Sequence, residues 1–313
     1  MNLSPIVLFV YNRPWHTRQS IEALQKNELA KDSELYIYSD APKNENARGK
    51  VAEVREYIKN IDGFKRVTII ERNKNFGLAN SIIDGVTKTV NTYGKIIVLE
   101  DDLVTSPYFL KFMNEALDFY KNNDLIMSIS GYTYPFEIPQ NYKEDVFLFY
   151  RSSSWGWASW RERWNKVDFE VKNYSHILKN KKLQKKINKG GEDLFDILKI
   201  QMSGKIDSWA IRFALSHSLH DSYVLYPSKS LVHNIGHDGS GIHCGVSYDW
   251  DNTIDDLFIP NLNNHNLQIN HDIVLNLQKK FKVKIIPRIT KTIKDLLNEF
   301  YTNITTNNHK KRN

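Results

Sequence analysis

Glu100, Asp101 and Asp102 follow directly on an apolar run within Lys95–Pro107 (KIIVLEDDLVTSP). Four consecutive apolar residues, Ile96 to Leu99, read as a strand covered on both faces, the kind that parallel sheets contain. Carboxylates at the C-terminal end of such a strand lie at the sheet rim, where open α/β folds take up ligands. Neighbouring carboxylates repel, so three in a row cost stability unless a cation or hydrogen-bond donors compensate. Oxygen-only donors suit a hard divalent ion, Mn²⁺ or Mg²⁺, held by one or two carboxylates together with substrate phosphates. A solvated acidic turn is the plainer reading of an isolated triplet. Placement on a buried strand, in company with the clusters below, favours the ion site.

Polar clusters also end the earlier apolar runs. The first reads Phe9–Pro14 (FVYNRP), with Tyr11, Asn12 and Arg13 at a strand end and Pro14 opening a helix. An aromatic ring, an amide and a guanidinium beside a helix N-terminus can stack a base and meet a phosphate. The second run ends in Ser39 and Asp40, an acid able to accept hydrogen bonds from uracil or ribose. The third leads into Glu71–Asn80 (ERNKNFGLAN), with Asn75, Gly77 and Asn80 as candidate contacts. Gly77 permits a positive-φ helix entry or a close approach of backbone to ligand. Each cluster alone has an ordinary turn composition; their recurrence at successive strand ends of one sheet gives them meaning.

Taken in order, Phe9–Pro14, Tyr38–Asp40, Asn73–Ala79 and Leu99–Asp102 make this chain resemble the GT-A nucleotide-diphospho-sugar glycosyltransferases. The resemblance is to family-2-like bacterial enzymes and to the relatives of N-acetylglucosaminyltransferase I. It covers roughly the first 110 residues well and extends through looser motifs to about residue 245. It implies that Tyr11, Arg13 and Asp40 hold the nucleotide. It also implies that Glu100, Asp101 and Asp102 form the metal and ribose motif, with Asp102 on the metal.

Downstream motifs supply the acceptor side. Within Ser152–Trp160 (SSSWGWASW), Trp155, Gly156 and Trp157 are candidates for packing on the CH faces of a sugar, while Trp160 and Trp164 read as core. An inverting transferase needs one base to deprotonate the acceptor hydroxyl. Asp207, within Lys205–Arg212 (KIDSWAIR), is similar to the base of the N-acetylglucosaminyltransferase I relatives, with Ser208 replacing a second acid there. Glu192 and Asp193 are the alternative, resembling the Glu-Asp motif of family 2, or else they cap the following helix. In His233–Cys244 (HNIGHDGSGIHC), the resemblance offers His243, and less so His237, as a metal ligand in a late closing loop; uncoordinated loop histidines are the equal alternative.

Positioning these residues requires a layered scaffold. Apolar runs at Ile6–Tyr11, Leu35–Tyr38, Val67–Ile70 and Ile96–Leu99 alternate with helix-like segments at Thr17–Leu29, Ala47–Asn60 and Leu78–Thr92, which predicts βαβ units and a parallel sheet. A further helix is expected over Tyr108–Asn122, then strands at Leu125–Ser130 and Val146–Tyr150. The expected fold is α/β: a GT-A (Rossmann-like), mostly parallel sheet flanked by helices, with a smaller acceptor-side half and a basic C-terminal helical tail. Residues 1–122 would bind the nucleotide sugar, 123–260 would hold the acceptor and the base, and 261–313 would form the extension.

Composition narrows the classes. Of the net charge of +7, residues 279–313 carry +8, from ten Lys or Arg against two acids, so the body is near neutral. A nucleic-acid enzyme would need a basic stripe along its cleft, so nucleic acid is not the expected substrate. Lys172–Lys189 has seven lysines and no acid, and reads as a solvated excursion or as a guide for an anionic acceptor. Ile285–Ile304 reads as an amphipathic basic helix that lies on an anionic membrane or packs on the domain. A single cysteine, Cys244, excludes an intrachain disulfide and fits a reducing cytoplasm, and the N-terminal run reads as a first strand rather than a signal peptide. The expectation is a cytoplasmic enzyme, peripheral at the inner membrane face through its tail, moving sugar from a UDP-sugar to a glycan or lipid-linked acceptor in surface polysaccharide or lipopolysaccharide synthesis. A sugar-nucleotide nucleotidyltransferase would need a glycine-rich loop after the first strand, and Tyr11–Trp15 has no glycine. A non-catalytic carbohydrate-binding protein would use the tryptophans without the acids.

Overall fold

The computed structural model describes residues 2–239, 250 and 252–282. The expected alternation is present: β1 (Ile6–Val10), α1 (Pro14–Gln25), β2 (Glu34–Ser39), α2 (Glu45–Ile58), β3 (Arg66–Glu71), α3 (Leu78–Tyr93) and β4 (Lys95–Glu100). Local chemistry sets the boundaries. Pro14 sits in the first turn of α1, where its missing N–H costs nothing. Asn44 caps α2 by accepting from the Ala47 amide at 3.1 Å. Gly94 ends α3 in the left-handed conformation, φ 81°.

After β4 come β5 (Leu103–Thr105), α4 (Phe109–Phe119), β6 (Ile126–Ser130), β7 (Val146–Phe149) and β8 (Trp157–Trp160). The remainder is α5 (Arg161–Trp164), α6 (Tyr174–Lys179), α7 (Lys181–Ile187), α8 (Leu194–Met202), α9 (Trp209–Leu219), β9 (Tyr223–Pro227), β10 (Val232–Asn234) and α10 (His271–Lys280). Eight strands form one sheet in the order β3-β2-β1-β4-β8-β6-β9-β7. The first four are parallel, β8 runs antiparallel to both β4 and β6, and β7 runs antiparallel to β9. A separate ribbon pairs β10 with β5, so a segment late in sequence returns to the residues just beyond the acidic triplet. The lysine-rich excursion folds as α6 and α7, with Lys186 reaching Asp221 at 2.8 Å.

Strand β8 overturns one expectation. Trp157 is 1 % exposed, and its ring lies 5.6 Å from Trp164, 5.2 Å from Trp209 and 5.1 Å from Phe213. It is not a platform for sugar. The segment Trp157–Trp160 is a central strand covered on both faces, so neither side of it reaches a ligand. Trp160 and Trp164 are core residues as expected, their indole N–H groups donating to Leu117 O at 3.0 Å and Thr87 Oγ1 at 2.9 Å.

A second buried polar group makes stability pH-dependent. His217 on α9 contacts Ser128 Oγ through Nε2 and Phe213 O through Nδ1, each at 2.8 Å. Burial pushes its pKa down to about 4. The unfolded chain, with an ordinary histidine near 6.5, binds the proton more readily than the fold does. Stability is therefore complete above that value and falls as pH drops toward 4; at pH 5 the loss is about 2 kcal/mol. Urea midpoints at pH 7.5 and pH 5 should show this loss in the wild type and not in His217→Gln.

No helix among the described residues is long and apolar enough to cross a membrane. The amphipathic segment Ile285–Ile304, Cys244 and His243 lie outside the described residues.

Candidate active site

The C-terminal ends of β1 and β4 lie side by side, with Phe9 opposite Glu100 in register. This brings Arg13 onto the acids. Its Nη2 pairs with Asp101 Oδ1 and lies 3.0 Å from Asp102 Oδ2. The Tyr11 amide donates to Asp101 Oδ2 at 3.3 Å, and Ser20 Oγ donates to the Asp101 carbonyl at 2.9 Å. Burial alone would lower the Arg13 pKa, but the paired carboxylates outweigh it and hold the guanidinium above its usual value. Burial, with Asp102 and Asp101 alongside, pushes Glu100 up to about 8 against the pull of Arg13. Asp101 and Asp102 thus share one guanidinium, and negative charge is left over even with Glu100 protonated.

That surplus bears on whether a divalent cation fits. Among the described residues no group of three or more His, Cys, Asp or Glu surrounds a common point. Asp101 is turned inward onto Arg13 and Tyr11, whereas Asp102 keeps an acceptor oxygen at the rim, its side chain 15 % exposed. The fit is of the sparse kind, one carboxylate completed by substrate phosphates and water, which is how Mg²⁺ is ordinarily held.

The neighbouring strand end is built around Asp40. Its carboxylate accepts from the amides of Ala41 (2.9 Å), Phe76 (2.9 Å) and Gly77 (3.0 Å). It clasps the β3–α3 loop to the end of β2. Asn75 Nδ2 donates a hydrogen bond to Ala41 O at 2.6 Å, Gly77 enters α3 with φ 72°, and Asn80 donates to Phe76 O at 3.1 Å. Asn12 lies half-buried between Tyr11, whose hydroxyl accepts from the Lys43 amide at 2.9 Å, and Arg13. Arg72 escaped the sequence reading although it stands in the flagged segment. Buried, it lies over the rings of Phe76 (4.2 Å) and Tyr38 (5.0 Å) and reaches Asp84 at 2.6 Å. A cation among rings at a strand end was the available signal.

The loop after β10 roofs the acids. Ile235 N donates to Asp102 O at 2.9 Å, and a Cβ on Gly236 would stand 2.1 Å from Asp102 Oδ2. Asp238 reaches His16 Nε2 on α1 at 3.2 Å. His237, between them, meets Trp155 edge to face at 5.1 Å. Trp155 and His237 both line a cavity of about 450 Å³, walled also by Ser152–Ser154, Arg151, Trp250 and Ser208. Gly156 is forced by sterics: φ is 65°, and a Cβ would approach Val232 Cγ2 to 2.8 Å.

The candidate bases separate. Asp207 immediately precedes Ser208, the N-cap of α9, as expected. Its side chain is 60 % exposed and accepts from Arg212 Nη2 at 2.7 Å, and Arg212 is itself fixed by Ser208 O and Phe169 O. Asp193 stands at the N-cap of α8 without capping it, because both its oxygens accept from Arg151, at 2.8 and 3.0 Å. Glu192 is exposed.

Among solved structures the chain is similar to TarS 1-349 of S. aureus (10% identity, TM-score 0.41, covering 74% of this chain and 60% of that one). It is also similar to mannosyltransferase PcManGT from Pyrobaculum calidifontis in complex with GDP-Man and Mn²⁺ (11%, 0.33, 51% and 48%). A third is mouse xyloside xylosyltransferase 1 (10%, 0.35, 68% and 80%). The chain thus spans 60% of the length of the first and 48% of the second. A search of curated proteins found no match. The sequence matches the family model for glycosyl transferase family 2 over residues 6–178, more than half its length and including every strand end described for the nucleotide-side cluster. The eight-stranded sheet with its flanking helices is the GT-A architecture, and the chain belongs to glycosyl transferase family 2.

Proposed function

We propose that this chain transfers a sugar from a nucleotide diphosphate donor, a UDP-sugar, to a glycan or lipid-linked acceptor of surface polysaccharide synthesis, with inversion at the anomeric carbon. The observation that carries the reading is the rim where Arg13 and Asp102 meet beneath the Gly236 loop, one residue from a cavity lined by Trp155. Tyr11, Asn12 and Arg13 would receive the base and phosphates, with Asp40 holding the Asn75–Gly77 loop that completes the nucleotide side. Asp102 would hold Mn²⁺ or Mg²⁺, which supplies charge neutralisation of the departing diphosphate when bound. Asp207 would take the proton from the acceptor hydroxyl while Trp155 and Gly156 shape the sugar site. Residues 1–122 then serve the donor and 123–260 the acceptor.

The test is a panel of nucleotide sugars incubated with the protein and Mn²⁺, reading release of free nucleotide. Turnover of one donor fixes base and sugar together; no release from any donor, with or without acceptor extracts, sinks the proposal.

Gly236 yields a sharper expectation. Its backbone is not in the left-handed region, so alanine is tolerated there, yet the new methyl would collide with the Asp102 carboxylate. Misplacing a reacting group by about 1 Å can cost 10²-fold. Gly236→Ala should lower donor turnover by roughly 10–100-fold while its thermal midpoint stays near that of the wild type.

A further inference from the structure

Three consecutive loop residues face three different ways: Gly236 onto Asp102, Asp238 onto His16, and His237 into the cavity against Trp155. Both ring nitrogens of His237 are shielded from solvent and have no hydrogen-bond partner among the described residues. Leaving buried polar atoms unpaired is unfavourable, and native structures do so where a ligand completes them. The cavity walls say what ligand that is. Among the described lining residues, apart from His237, the one side chain of strong charge is Arg151, and that charge is already matched. Its two Nη groups donate to Asp193 at 2.8 and 3.0 Å, and its guanidinium lies over Phe281 at 4.1 Å. The rest of the described polar lining is hydroxyl, from Tyr134, Ser152–Ser154 and Ser208, beside the rings of Trp155 and Trp250. No free cation is left among the described lining residues to receive a carboxylate or phosphate. About 450 Å³ is toward the small end of ligand sites and admits a pyranose ring.

We infer that this cavity is the subsite for one uncharged pyranose ring, with His237 hydrogen-bonding a ring hydroxyl and Trp155 packing on the CH face. The inference rests on the proposed transferase reading and adds the class of sugar and the residue that reads it. A neutral pyranose can arrive as the sugar of the donor or as the terminal sugar of the acceptor. Calorimetry and turnover distinguish the two.

The experiment titrates UDP and the active UDP-sugar, each with Mn²⁺, into wild type, His237→Ala and His237→Gln, and measures acceptor KM in parallel. For a donor subsite, His237→Ala loses about tenfold in UDP-sugar affinity with UDP affinity unchanged, and His237→Gln recovers part of it. For an acceptor subsite, UDP-sugar affinity holds and acceptor KM rises by a similar factor. Three results overturn the inference. One is that His237→Ala changes neither quantity. Another is that it weakens Mn²⁺ uptake with UDP, which would make His237 a metal ligand. The third is that a uronic acid is accepted as well as the neutral sugar. If wild-type protein binds no nucleotide sugar at all, the transferase reading itself has failed, a result distinct from all three.

Discussion

Asp102→Asn should abolish metal-dependent donor turnover, by about 10³-fold or more, while leaving the protein folded. Asn keeps the shape of the side chain and removes the charge. Arg13 retains its bond to Asp101, and Ile235 N still finds the backbone carbonyl of residue 102, so the cluster stays in place. Removing one of three crowded carboxylates also relieves repulsion, so the thermal midpoint should hold or rise. What is lost is the negative charge at the rim beneath the Gly236 loop. Calorimetry of Mn²⁺ in the presence of UDP should show uptake by the wild type and none by the variant. Full turnover in a folded Asp102→Asn protein would remove the metal site from the proposal. A carbohydrate-binding protein without transferase activity would keep its glycan affinity through the same change.

Asp207→Asn is expected to lower kcat by about 10²–10⁴-fold, the range for a positioned general base, with donor KM nearly unchanged. The side chain is exposed and makes one ion pair, with Arg212, so the amide should cost little stability. Asp193→Asn makes the contrast. There the carboxylate is the bidentate partner of Arg151, whose side chain is 15 % exposed, so its loss should destabilise by on the order of 1–3 kcal/mol and leave kcat in the folded fraction close to wild type. Single-turnover rates and urea midpoints on both variants, with Glu192→Gln as a further control, decide between the sites. A folded Asp193→Asn or Glu192→Gln protein with no chemistry, beside an active Asp207→Asn, would move the base to α8.

How much was legible from residues alone varies along the chain. The four parallel strands and their helices were read to within a few residues, because buried strands and amphipathic helices repeat locally. The acidic triplet at the end of β4 and the cluster after β1 were likewise visible, since strand-end polar residues contrast with the run before them. Strands β5, β8, β9 and β10 were not. β5 and β10 are three residues each, too short for periodicity to speak, and β8 looked like a binding motif because its tryptophans stand beside a glycine. Only one of the Trp155 and Trp157 pair meets a cavity. The deciding fact is that β4 and β6 flank β8, contacts between segments far apart in sequence.

Residue order was enough for the succession of elements and for the acids at the fourth strand end, because both depend on near neighbours along the chain. Tertiary structure alone decided how the polar side chains are used. It turned Asp101 inward onto Arg13, gave Asp40 to the amides of residues 76 and 77, and gave Asp193 to Arg151. It also laid Gly236 on Asp102 and set His237 in the cavity. A carboxylate's role follows from which donors surround it, and those donors come from strands and loops that meet only when the sheet is assembled.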